Sequence, residues 1–123
     1  NATAVTNLTL SDGTTLSFEG GGSTNVPKYY TTGTCIRMYP KNSMTVTASK
    51  QIQKIIFIVD QYNSNIYNAS GDITANPGSV TTNDTNVTIS DVNNKKTIIT
   101  NVSTTTGQPS QLRIKTITIV YAD

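Results

Sequence analysis

Apolar residues fall on alternate positions through most of this chain. Met44, Val46 and Ala48 are separated by Thr45 and Thr47, and Ile117, Ile119 and Tyr121 repeat the pattern near the other end. A period of two sets the apolar side chains on one face of a strand. Leu112 and Ile114 begin that last run, but the step from Ile114 to Ile117 is one residue too long, which predicts a β-bulge near Lys115-Thr116. Thr34 to Tyr39 reads as a strand with Ile36 and Met38 on one face and Cys35, Arg37 and Tyr39 on the other. Ile55 to Val59 is apolar without a break, as in a strand buried on both faces or in a sandwich core. No stretch keeps a helical period over ten residues, and no capping box precedes an apolar run.

Turn chemistry divides these runs. Ser11-Asp12-Gly13, Pro40-Lys41-Asn42-Ser43, Ser49-Lys50, Asn76-Pro77-Gly78, Asn93-Asn94 and Thr106 to Pro109 all carry residues that favour turns. Glu19-Gly20-Gly21-Gly22-Ser23 reads as a flexible loop, and Gln61 to Ala69 as a polar loop. Eight to ten short strands at this spacing predict an all-β fold, an antiparallel β-sandwich of jelly-roll or immunoglobulin-like type. No linker or repeat divides the chain, so residues 1–123 read as one domain. Asn1 to Thr6 has neither a basic nor an apolar leader segment, so the expectation is a domain excised from a larger secreted protein.

Composition sharpens this picture. Thr, Asn and Ser account for 47 of the 123 residues, while charged residues are only 13%. That excludes coiled coils and charged tails. The net charge of +2 is too small for an electrostatic nucleic-acid binder, and no apolar run reaches the ~20 residues of a membrane span. With no His and one Cys, Ser-His-Asp, Cys-His and His-based metal chemistry are closed to the chain. A Thr- and Asn-rich, Lys- and Glu-poor β domain points to a secreted or cell-surface protein. Six N-x-Ser/Thr sequons, at Asn1, Asn7, Asn68, Asn83, Asn86 and Asn101, follow from the abundance of Asn and Thr and carry no message.

The carboxylates are Asp12, Glu19, Asp60, Asp72, Asp84, Asp91 and Asp123. Most sit at turns beside Gly, Asn or Ser, where Asp bonds its own backbone. That is not the facing pair of a glycosidase, and the chain is not expected to be an enzyme. Asp60 ends the apolar run and is followed by Asn63 and Asn65, which makes it a candidate for a structural calcium ion; no other cofactor is expected. Six Tyr against two Phe and no Trp are the most suggestive feature. Tyr29 and Tyr30 follow the Gly-rich loop, Tyr39 precedes a Pro turn, and Tyr62 and Tyr67 flank Asn63 and Asn65. Aromatic faces in loops stack on sugars while Asn and Arg bond the hydroxyls. Arg37 is either paired in the core, with Glu19 or Asp60, or exposed beside Tyr39 facing a ligand. Cys35 reads as a small core residue.

The run from Pro27 to Thr47, with Tyr29-Tyr30, Ile36-Arg37-Met38-Tyr39 and an alternating strand, resembles β-sandwich accessory modules of secreted multidomain proteins from gut and rumen Bacteroidetes. Ile52, Ile55 and Phe57 match the next strand of those modules, and Arg113-Ile114-Lys115-Thr116-Ile117-Thr118-Ile119-Val120-Tyr121 matches their usual end. Asn86-Val87-Thr88-Ile89-Ser90 stands where related sequences often carry a Trp-x-Gly-like strand. The resemblance implies a non-catalytic carbohydrate-binding module that targets an appended catalytic domain to a polysaccharide such as β-glucan or xylan. The ligand-binding residues would be Tyr29, Tyr30, Arg37, Tyr39, Tyr62, Asn63, Asn65 and Tyr67. The alternative is a structural or adhesive spacer of a bacterial surface protein. The module is expected to be a monomer, with no nucleic-acid or membrane partner.

Overall fold

The computed structural model describes residues 2–62, 65–66 and 72–122. In chain order the strands are β1 (Ala2–Ala4), β2 (Asn7–Thr9), β3 (Thr15–Glu19), β4 (Lys28–Tyr30), β5 (Cys35–Met38) and β6 (Ser43–Val59). They continue with β7 (Gln61–Tyr62), β8 (Asn65–Ile66), β9 (Ile73–Asn76), β10 (Ser79–Asn83), β11 (Asn86–Ser90), β12 (Asn94–Asn101) and β13 (Leu112–Tyr121). A 3-10 turn, Gln108–Ser110, precedes β13. The fold is all-β and antiparallel, as the period of two requires. Its described strands outnumber the expected eight to ten because β1, β2, β4, β7 and β8 are pieces of only two or three residues.

The sheet is organised around β6, which is 17 residues long. Its first half pairs with β3 on one side and β12 on the other. Its second half pairs with β13 and β11. The expected turn at Ser49-Lys50 is therefore a bend inside one strand. Two irregularities make it. Between the Asn94–Ile52 and Lys96–Thr47 pairs, β12 advances two residues while β6 advances five. Between Val120–Lys54 and Tyr121–Ile52, β6 gains one residue at Gln53. That extra residue reverses which face points inward. Met44, Val46, Ala48 and Ile52 are buried before it, and Ile55, Phe57 and Val59 after it. The Ile55–Val59 run alternates rather than being buried on both faces: Ile58 is 42% exposed. The bulge anticipated near Lys115 is present, since Ile114 pairs with Val59 and Thr116 with Ile58.

The pairing gives one open sheet of eleven strands and a two-stranded β7–β8 pair, rather than the two separate sheets of a sandwich. The half containing β2, β3, β12 and β9 and the half containing β1, β4, β5, β13, β11 and β10 meet at the β6 bend. The chain joins their edges twice more. β1 pairs with β4, and two residues later β2 pairs with β3. β9 and β10 are joined across Pro77-Gly78. Tyr121, near the end of β13, ties the β6 corner by donating to Asp12 Oδ2 at 2.5 Å and meeting Thr14 Oγ1 at 2.5 Å. Both halves contribute to one core, with Leu16, Phe18, Met44 and Ile99 from one and Ile36, Leu112, Phe57 and Ile89 from the other.

Candidate functional site

Two completely buried asparagines build the end of the fold where the turn after β5 meets the loop after β3. The Asn42 side chain accepts from Tyr39 N at 2.8 Å and donates through Nδ2 to Gly20 O at 3.0 Å and Asn25 O at 2.8 Å. Asn101, at the end of β12, donates through Nδ2 to Met38 O at 2.9 Å and Ser110 O at 2.8 Å, and accepts from Ser103 N at 3.0 Å. Their backbones are joined too, Asn101 N donating to Asn42 O and Lys41 N to Asn101 O. Each amide side chain thus replaces the strand pairing that three turns cannot give one another. The loop expected to be flexible after β3 is held by these bonds. It also approaches very closely: a Cβ on Gly21, where φ is +65°, would lie 1.9 Å from Lys41 O.

The turns fixed in this way enclose an open groove of about 440 Å³. Tyr39 and Pro40 give it an apolar wall, and Asn25, Lys41, Thr105 and Gln111 offer amide, ammonium and hydroxyl groups. Tyr39 leads out of the groove onto the outer face of the sheet. Its hydroxyl meets that of Tyr30 at 2.6 Å. The Arg37 guanidinium lies over the Tyr30 ring, 3.6 Å from its centre, a cation–π contact. Burial, then the bond to Tyr30 and the repulsion from it, push the Tyr39 phenol up to about 12 against the opposing pull of Arg37.

Of the eight sugar-binding candidates, the structure brings Tyr30, Arg37 and Tyr39 together. Tyr29 is on the opposite face of β4, 38% exposed, in an apolar hollow with Leu8, Leu10 and Ile117. Tyr62 and Asn65 pair with each other across β7 and β8. Asn63 and Tyr67 lie outside the described residues. The Arg37 guanidinium stacks on the Tyr30 ring. Among those residues, no three Asp, Glu or Cys side chains gather around Asp60 or elsewhere in a group that could hold a metal ion. Cys35 is buried and unpaired with any other cysteine, as a small core residue would be.

Sequence reasoning missed Asn42, Asn101, Asn25 and Gln111. Asn42 had a local signal in the Pro-Lys-Asn-Ser turn, but its partners across the loop are 17 and 22 residues away. Asn101 had only a sequon, and its full burial with both amide hydrogens committed closes that sequon to a glycan in the folded chain. No protein-family model, curated protein or solved structure matches the chain.

Proposed function

We propose that this chain is a non-catalytic carbohydrate-binding module, carried by a secreted or cell-surface protein and targeting an appended catalytic domain to polysaccharide. The observation that carries this reading is the groove at Tyr39: one aromatic wall, amide and hydroxyl groups along the rest, and a volume of about 440 Å³. Tyr39 would stack on the apolar face of a sugar, and Asn25, Thr105 and Gln111 would bond its hydroxyls. The groove is preformed, because Asn42 and Asn101 fix its three turns by hydrogen bonds within the protein. Binding therefore orders little of the protein, which favours affinity from a small contact area.

The competing reading is a structural or adhesive spacer. It is favoured by Tyr30, whose ring is covered on one face by Arg37 instead of being free for a sugar. Affinity electrophoresis against β-glucans, xylans, mannans and uronate polymers separates the two. The module reading expects retardation by at least one polymer, lost in Tyr39→Ala. Unchanged mobility in every gel leaves the spacer as the better account.

A further inference from the structure

The two halves of the sheet leave a window between β13 and β2. β5 pairs with β13 at Leu112, Arg113 and Ile114. The bulge at Lys115 ends that pairing. From Thr116 onward β13 pairs with β6 on one side and, among the described residues, with no strand on the other. β2 pairs with β3 and shows an open second edge in the same sense. Between these edges lies an apolar hollow of about 400 Å³. Its floor is Leu16, Ile36 and Ile114, each at most 9% exposed. The inward-facing residues around it are poorly covered. Leu8 is opposite Leu16 and Tyr29 is opposite Ile36, so both face inward, yet they are 37% and 38% exposed. Ile117 and Ile119 are only partly buried, whereas their β6 partners Phe57 and Ile55 are completely buried. These four side chains lack cover where a further strand would lie.

The edge says what kind of cover fits. An open edge carries unpaired N–H and C=O groups and is a template for another strand. Such edges are normally blunted by charge or Pro, but Thr116-Ile117-Thr118-Ile119-Val120 contains neither and is β-branched throughout. The stretch is bounded by the bulge at Lys115 and by the bond from Tyr121 to Asp12. An acyl chain could enter the hollow but could not pair with the edge. An extended polypeptide does both, with its backbone on β13 and alternate side chains in the hollow. Lys115 is exposed at the rim, and no Asp or Glu is among the lining residues, so an acidic residue of the occupant would be matched there.

We propose that this window is a strand-addition site. An extended segment of a partner polypeptide, apolar at alternate positions and acidic at the end next to Lys115, pairs with Thr116–Val120 and sends its apolar side chains between Leu8 and Ile117. This stands apart from the carbohydrate-binding reading. The probe is a synthetic peptide of about seven residues that alternates Val with Thr and ends in Glu. Its controls are a scrambled peptide, peptides N-methylated at every second residue in either phase, and decanoate. N-methylation keeps the side chains and removes backbone donors. Calorimetry with the intact chain is expected to show binding of the alternating peptide, weakened about tenfold or more by scrambling and in at least one N-methylated phase. Hydrogen exchange should slow across residues 116–120. Leu8→Asn should weaken binding about tenfold or more with an unchanged circular dichroism spectrum, and Tyr29→Ser replaces it if that variant does not fold. If decanoate or both N-methylated peptides bind as well as the parent, the hollow takes an apolar ligand and strand addition is overturned. Self-association that rises with concentration and is lost in Leu8→Asn would make a second copy the occupant and overturn the assignment to a partner. A monomeric chain that binds no probe would overturn the site itself.

Discussion

Asn101 offers the sharpest test of how the groove is built. Its side chain is fully buried and makes three hydrogen bonds, two as donor to carbonyls and one as acceptor from an N–H. Asn101→Ala deletes all three. At about 1 kcal/mol net for each bond, the expected loss is about 3 kcal/mol. An unfolding entropy of about 2.1 cal/mol/K per residue gives roughly 0.26 kcal/mol/K for a chain of this length, so Tm should fall by about 12 °C. Asn7→Ala, at an exposed strand position, is the control and should stay within about 0.5 kcal/mol. Asn101→Asp adds a second reading of the same geometry. It keeps the shape but turns the donor edge, which faces Met38 O and Ser110 O, into an acceptor edge. The introduced carboxyl is held neutral by burial and by those two carbonyls, so its folded pKa lies above the usual ~3.9. A raised folded pKa means that the variant is least impaired below about pH 4 and loses further stability as pH rises through the folded value. Asn101→Ala has no such dependence. Thermal melts of the three variants from about pH 4 to pH 8 decide it. A drop of under about 1 kcal/mol for Asn101→Ala, or parallel pH profiles for the Ala and Asp variants, would refute the donor-edge assignment.

Two further outcomes are expected. Gly21→Ala places a Cβ against Lys41 O and needs a positive φ, so the loop after β3 must move away from the turn at Lys41; sugar binding should weaken more than Tm falls, and unchanged affinity with a native melting curve would contradict the close approach. The Tyr39 phenol, pushed up to about 12 chiefly by burial and by its bond to Tyr30, should appear as a late step in an ultraviolet titration that Tyr39→Phe removes. Because this pKa is raised in the folded state, its stabilisation is complete below the ordinary phenol value of ~10 and is lost as pH climbs towards the folded value. A late step that persists in Tyr39→Phe would assign it elsewhere.

The strands were legible because their signal is local. Met44, Val46 and Ala48 need only their own spacing to declare a buried face, and the extra residue between Ile114 and Ile117 declared its bulge in the same way. The merging of two expected strands into β6 was not legible. A polar pair such as Ser49-Lys50 can turn the chain or bend it, and the choice is made by β12 and β13, whose registers at Asn94–Lys96 and Val120–Tyr121 belong to distant sequence. The Ile55–Val59 run misled for a related reason. Ile58 is apolar yet 42% exposed, and an outward Ile cannot be told from an inward one without the partner strands.

The candidate site was half legible, and the dividing line is chemical. Tyr30, Arg37 and Tyr39 could be chosen from sequence because aromatic and guanidinium groups are conspicuous and because the period of two puts Arg37 and Tyr39 on one face. Asn42 and Asn101 could not, since 13 asparagines in the chain look alike and only burial separates these two. Yet these two create the groove. Without them the turns carrying Tyr39, Asn25 and Gln111 have few bonds to one another, and no aromatic residue would be held at a fixed wall. The Asn-rich composition therefore serves two purposes. Exposed asparagines such as Asn94 cap local turns, its Oδ1 accepting from Lys96 N. Buried ones link segments remote in sequence, and their substitution should cost binding and stability together.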